Sequence, residues 1–130
     1  MTRERAATLT ASIGAGLLFL TAGFHLSVYG PVTAQASGEL RALMAPLWIA
    51  VGASQIIAAL LTIAATPLFV VRRRALLAIA ALIPMSTALL QIVYLGFLAP
   101  TALLLLDTVV LLAAGELGRA LQPVPAVART

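Results

Sequence analysis

The chain has 130 residues, 62% of them hydrophobic and 9% charged, with a formal net charge of +4, and its mean hydropathy is +1.12. Usage this apolar excludes an ordinary soluble domain and points to an integral membrane protein. The lack of cysteine excludes disulfides, thiolate metal sites and thiol redox chemistry.

A helix that spans hydrocarbon needs about 20 largely apolar residues. Runs of that kind lie at 8–29, 42–66, 75–98 and 101–121. Backbone groups in lipid must be satisfied internally, and no run alternates as a barrel strand would. The expected architecture is therefore all-α: a four-helix bundle embedded in lipid, one membrane domain over 1–130, with 122–130 as a disordered tail. Every basic residue is an arginine, and only Arg41 falls on the side of the bundle away from both termini. By the positive-inside rule both termini and the central hairpin are cytoplasmic, in a multi-pass protein of the cell inner (plasma) membrane. These arginines flank apolar spans, with no basic patch interleaved with stacking aromatics, so no nucleic-acid partner is expected.

In chain order, the apolar run of helix 1 is too long for a signal-peptide core, so it is expected to be retained. Its small residues Ser12, Gly14, Gly16, Gly23 and Ser27 would let a neighbouring backbone approach. Thr21, His25 and Tyr29 recur at i, i+4 and i+8 and so share one face, and Pro31 is expected to stop the helix. Ser37 is a candidate N-cap for helix 2, with Glu39 in its first turn. Arg41 can pair with Glu39, close the bundle mouth or meet a lipid headgroup. Pro46 predicts a bend near the interface, and Trp48, Gly52 and Gln55 continue one face.

Pro67 and Arg72-Arg73-Arg74 are expected to form the cytoplasmic hairpin. Pro84 falls in the middle of helix 3, where it frees the carbonyl of Ala80. Beyond it Thr87, Gln91 and Tyr94 share a face. The short link 98–101 makes helices 3 and 4 antiparallel neighbours. Helix 4 carries Asp107 inside TALLLLDTVVLLAAGELG, and Glu116 nearer its end, within reach of Arg119.

An acid well inside a membrane helix costs about 2.5–3.5 kcal/mol on insertion scales, so it normally faces the bundle interior and finds a partner. His25, Trp48, Gln91, Tyr94 and Asp107 fall at similar depth on four helices, with Tyr29, Arg41 and Glu39 close by. That coincidence predicts a polar, aromatic-lined cavity in the outer half, over a dry half of Ala, Leu, Ile and Val. Each member alone has an ordinary role as interhelical glue or as an interfacial belt residue. One histidine and no cysteine cannot supply three protein ligands to zinc, the paired Glu-x-x-His pattern is missing, and there is no phosphate loop or nucleophile elbow. No metal or cofactor is expected. Histidine titrates near neutrality, so Asp107 and His25 are the candidate catalytic pair for moving a proton in an isomerisation, cyclisation or epoxide opening. Gln91 and Tyr94 would orient the ligand, with Trp48 and Tyr29 as walls.

The stretches ELRALMAPLWIAVGASQIIAALLTIAA, RRRALLAIAAL and LLQIVYLGFLAPTALLLLDTVVLLAAGEL combine a Leu-Arg opening of helix 2, a glycine one turn past an aromatic, a basic hairpin, a polar residue late in helix 3 and an acid in helix 4. In this the chain resembles the DoxX-like group of small four-helix membrane proteins, and Gln91 stands where some relatives carry Arg. The resemblance implies the fold, and the group includes subunits associated with quinone-linked oxidoreductases. Two readings stand side by side. One is a pocket for a small lipophilic molecule, with or without acid–base chemistry. The other is a non-catalytic subunit bound to a membrane protein partner or to another copy of itself.

Overall fold

The computed structural model describes residues 2–68 and 70–119, the side chains of Val70 and Arg119 excepted. The helices are α1 (Arg3–Ser27), α2 (Tyr29–Ala34), α3 (Gly38–Ala65), α4 (Val70–Leu95) and α5 (Ala99–Arg119). They make four segments long and apolar enough to cross a membrane, α1 and α2 counting as one, and no strand occurs among the described residues. The described residues are thus all-helical, and four helices apolar enough to cross a membrane suggest a multi-pass membrane protein. The expected tail at 122–130 and the Arg119 side chain lie outside the described residues.

The helix ends differ from the apolar runs for local reasons. α1 begins before the apolar run because Thr2 Oγ1 accepts from the Arg5 N–H at 3.4 Å, and Glu4 in the first turn complements the positive helix end. Pro31 does not stop the helix at its own position. A proline ring clashes with the carbonyl four residues back, here that of Ser27. The break accordingly falls at Val28 (φ −89°, ψ 1°), and Pro31 sits in the first turn of α2, where its missing N–H has no role.

α3 starts at Gly38, whose φ of +56° suits glycine, and runs through Pro46. Ser37 holds the N-cap position in extended conformation but makes no side-chain capping bond. Arg72, Arg73 and Arg74 lie on the first turns of α4 rather than in a loop. Two of them are held by α5: Arg74 pairs with Glu116 at 2.7 Å, and the nearly buried Arg73 lies across Gly118. At the far end Gly96, with φ +80°, closes α4 by donating its N–H to the Ile92 carbonyl.

α1 packs on α3, α3 on α4, α4 on α5 and α5 on α1, a closed ring of four. Buried positions on α1 run Ala7, Ala11, Gly14, Leu18 and Thr21. Steps of four and three average 3.5 residues, the spacing that keeps one seam facing its neighbours in a left-handed bundle. Elsewhere the core is mostly alanine: Ala58, Ala59, Ala65, Ala80, Ala81, Ala88 and Ala114, with Leu77 and Leu111 filling the widest gaps. Lipid tails are as apolar as leucine, so helices gain little by hiding large side chains and more by close backbone contact, which small residues permit. Large apolar side chains such as Leu60, Leu82 and Val109 point outward.

Of the small residues on α1, only Gly14 sits in a tight approach. A Cβ there would lie 2.9 Å from Cδ2 of Leu111, whereas Gly16 and Gly23 face open space and Ser12 and Ser27 are exposed. Leu111 is fully buried, so a larger side chain at Gly14 must displace it against its own neighbours. Gly14→Leu should therefore cost about 1–3 kcal/mol by overpacking. This would be read as a lower unfolding midpoint in detergent, while Gly16→Leu leaves the midpoint in place.

Candidate functional site

Besides the Arg74–Glu116 pair at the arginine hairpin, each of the four seams of the ring carries a polar tie toward the opposite end. Between α1 and α5, Thr21 Oγ1 donates to Asp107 Oδ2 at 2.9 Å. Between α1 and α3, Trp48 Nε1 donates to the His25 carbonyl at 2.8 Å, and His25 Nε2 lies 3.0 Å from the Trp48 carbonyl. Between α3 and α4, Gln55 Nε2 donates to Thr87 Oγ1 at 3.3 Å. Between α4 and α5, Thr101 Oγ1 donates to Gln91 Oε1 at 2.8 Å.

The His25–Trp48 tie follows from the break at Val28. The last four carbonyls of a helix lack intrahelical partners, and His25 supplies one of those of α1, which the indole captures. The two rings stack with centroids 4.3 Å apart and 12° between planes. Gly52 permits this approach: a Cβ on it would stand 2.7 Å from Cδ2 of Leu26, which lies over it. A carbonyl oxygen can only accept, so the Trp48 contact puts the proton of neutral His25 on Nε2 and leaves Nδ1 as an acceptor.

These ties wall a hollow of about 450 Å³ to which all four spans contribute. Its polar lining is Thr21, His25, Trp48, Gln55, Thr87, Gln91 and Tyr94. The rest is apolar, including Phe24 and Val28, Met44, Leu47 and Val51, Leu90 and Leu98, Leu103 and Leu104. Tyr94 is 77% exposed and Leu47 68%, so the hollow meets the bundle surface there, whereas Gln55 and Leu104 are buried.

Of the residues singled out in the sequence, His25, Trp48, Gln91 and Tyr94 border this hollow. Asp107 is fully buried and stands behind Thr21, which does border it; no hydrogen bond joins Asp107 to His25. Asp107 thus stands next to the hollow through Thr21, which lies one helical turn before His25 on α1. Tyr29 is half-buried outside the lining, because the break at Val28 takes it off the face it would share with Thr21 and His25 in an unbroken helix. Glu39 and Arg41 are exposed on the first turn of α3, before the lining begins at Met44. Glu116 pairs with Arg74 across the α4–α5 seam.

Gln55, Thr21 and Thr87 belong to the lining although only their helical faces stood out in the sequence. Their signal was spacing: Gln55 is seven residues past Trp48, and Thr21 and Thr87 each stand four before a partner on the same face. Thr101 resembles a loop residue in sequence, yet it is fully buried and tied to Gln91. Among the described residues no three His, Asp or Glu side chains come together to hold a metal ion.

The second carboxylate oxygen of Asp107, Oδ1, is buried without a hydrogen-bond partner among the described residues. Thr21 is thus the donor on which this buried acid depends. Removing one partner of a buried pair strands the other at a cost of about 1–3 kcal/mol, while replacing both by apolar groups can be nearly neutral. Thr21→Val should lower bundle stability by about that amount, and Thr21→Val with Asp107→Leu should recover most of it, as read by denaturation in detergent. No family model, curated protein or solved structure matches this chain.

Proposed function

We propose that this protein binds a small lipophilic molecule in the hollow between its four spans. The observation that carries the reading is the hollow itself: about 450 Å³, lined by all four spans and apolar over most of its wall, with seven polar side chains contributed by α1, α3 and α4. Ligand pockets are typically concave and mostly apolar, with a few polar groups that fix orientation. The exposed lining of Tyr94 and Leu47 gives a molecule dissolved in the bilayer a way in. Binding is better supported than turnover, since the carboxylate is set behind Thr21.

Orientation belongs to the same proposal. Seven of the eight arginines sit with the termini and the hairpin, which by the positive-inside rule supports a cytoplasmic position for that end and an outer-half position for the hollow in a plasma membrane. The resemblance to DoxX-like membrane proteins agrees with a small four-span architecture.

A second reading has one observation in its favour. A polar tie on every seam is also what pure interhelical glue requires, and on that reading the chain is a membrane subunit whose hollow stays unused. Trp48 separates the two, because it is the only tryptophan and lines the hollow. Bromododecanol, whose bromine quenches indole fluorescence on contact, should quench Trp48 saturably in nanodiscs. Val51→Phe, which pushes a ring into the hollow, should weaken that binding at least tenfold. Non-saturating quenching, equal in the two proteins, would mean bulk partitioning and would end the pocket reading.

A further inference from the structure

Gln55 and its neighbours specify what the head of such a molecule must be. Gln55 borders the hollow, is 1% exposed, and its Oε1 is buried with no hydrogen-bond partner among the described residues. The orientation of its amide follows from Thr87. The Thr87 hydroxyl spends its single proton on the Ile83 carbonyl at 3.0 Å, so toward Gln55 it can only accept. The amide must therefore turn its NH2 to Thr87, which commits Oε1 to the unpaired side.

The other deep polar groups are spent in the same sense. The Thr21 proton goes to Asp107, the Trp48 N–H to the His25 carbonyl, and the His25 Nε2–H to the Trp48 carbonyl. What is left over deep in the hollow is acceptor capacity: Gln55 Oε1 and His25 Nδ1. Donors remain toward the mouth, on Gln91 and Tyr94.

We infer, resting on the pocket reading above, that the ligand is a lipophile whose polar head is a hydroxyl, an alcohol or a phenol, that donates to Gln55 with its apolar body along the leucine wall. Gln55 is then the residue that selects the head group, and Thr87 positions it. A head that only accepts, such as an ether or a ketone, leaves Oε1 unpaired and meets lone pairs. An unmade hydrogen bond of this kind corresponds to about tenfold in affinity.

The test uses the full chain in nanodiscs and displacement of bromododecanol from Trp48 by two matched pairs: farnesol with its methyl ether, and octylphenol with its methyl ether. The hydroxyl member should win by about tenfold, and a preference confined to one pair would assign the head to the alcohol or to the phenol class. Gln55→Met should remove the preference. Thr87→Val should shrink it from the other direction, because the freed amide can turn its NH2 to an ether, so the ether gains while farnesol is retained. This second variant serves if Gln55→Met does not fold. Equal affinities within both pairs, or a preference that survives Gln55→Met, would overturn the inference and leave the pocket standing. Failure of bromododecanol to quench saturably would instead remove the pocket.

Discussion

A polar side chain inside hydrocarbon has no water to return to, so it must find its partner within the protein, and this constraint sets the form of the bundle. Thr21 with Asp107, His25 with Trp48, Gln55 with Thr87 and Gln91 with Thr101 give every seam a tie within the spans. Each is individually modest, since interhelical hydrogen bonds in membranes average well under about 2 kcal/mol. Together they lock the relative height of the four helices, because sliding any one of them by a single turn would strand two ties at once. The ring closes around these contacts, and the side chains that make them, Asp107 and Thr101 excepted, become part of the wall of the hollow.

The remainder of the bundle is held differently. Toward the arginine hairpin the interior is alanine, with Gly14 pressed on Leu111 and Ala80 and Ala114 completely buried. Small residues bring backbones close and leave no interior space. Toward the other end the lining carries Phe24, Met44, Trp48, Leu103 and Leu104, whose bulk keeps the helices apart. A taper from small to large side chains along the spans thus suffices to open the bundle at one end only.

Most of this was legible in the sequence, because hydrocarbon allows few alternatives. Four apolar runs could only be helices, and the polar residues that interrupt them stood at matching depth. Geometry beyond one helix was not legible. The steric effect of Pro31 acts four residues upstream, so a reading of Pro31 as a terminator misplaced the break and with it Tyr29. Asp107 was read as facing the hollow, but an acid at a crowded α1–α5 seam is bonded by the nearest hydroxyl, and that hydroxyl, Thr21, takes the place at the wall. The arginine triplet was read as a loop, whereas contacts with Glu116 and Gly118 on α5 keep it helical.

The position of Asp107 gives the costliest residue in the chain an indirect role. A threonine hydroxyl has one proton and two lone pairs, and in a hollow it could present either. By taking that proton, Asp107 fixes Thr21 as an acceptor toward the cavity, just as the Ile83 carbonyl fixes Thr87 and, through it, Gln55. The two fixations act on opposite seams, from a carboxylate on α5 and from a backbone carbonyl on α4, and they leave the same sign of hydrogen-bonding capacity inside. An acid placed behind the wall can in this way set the polarity of a hollow without lining it.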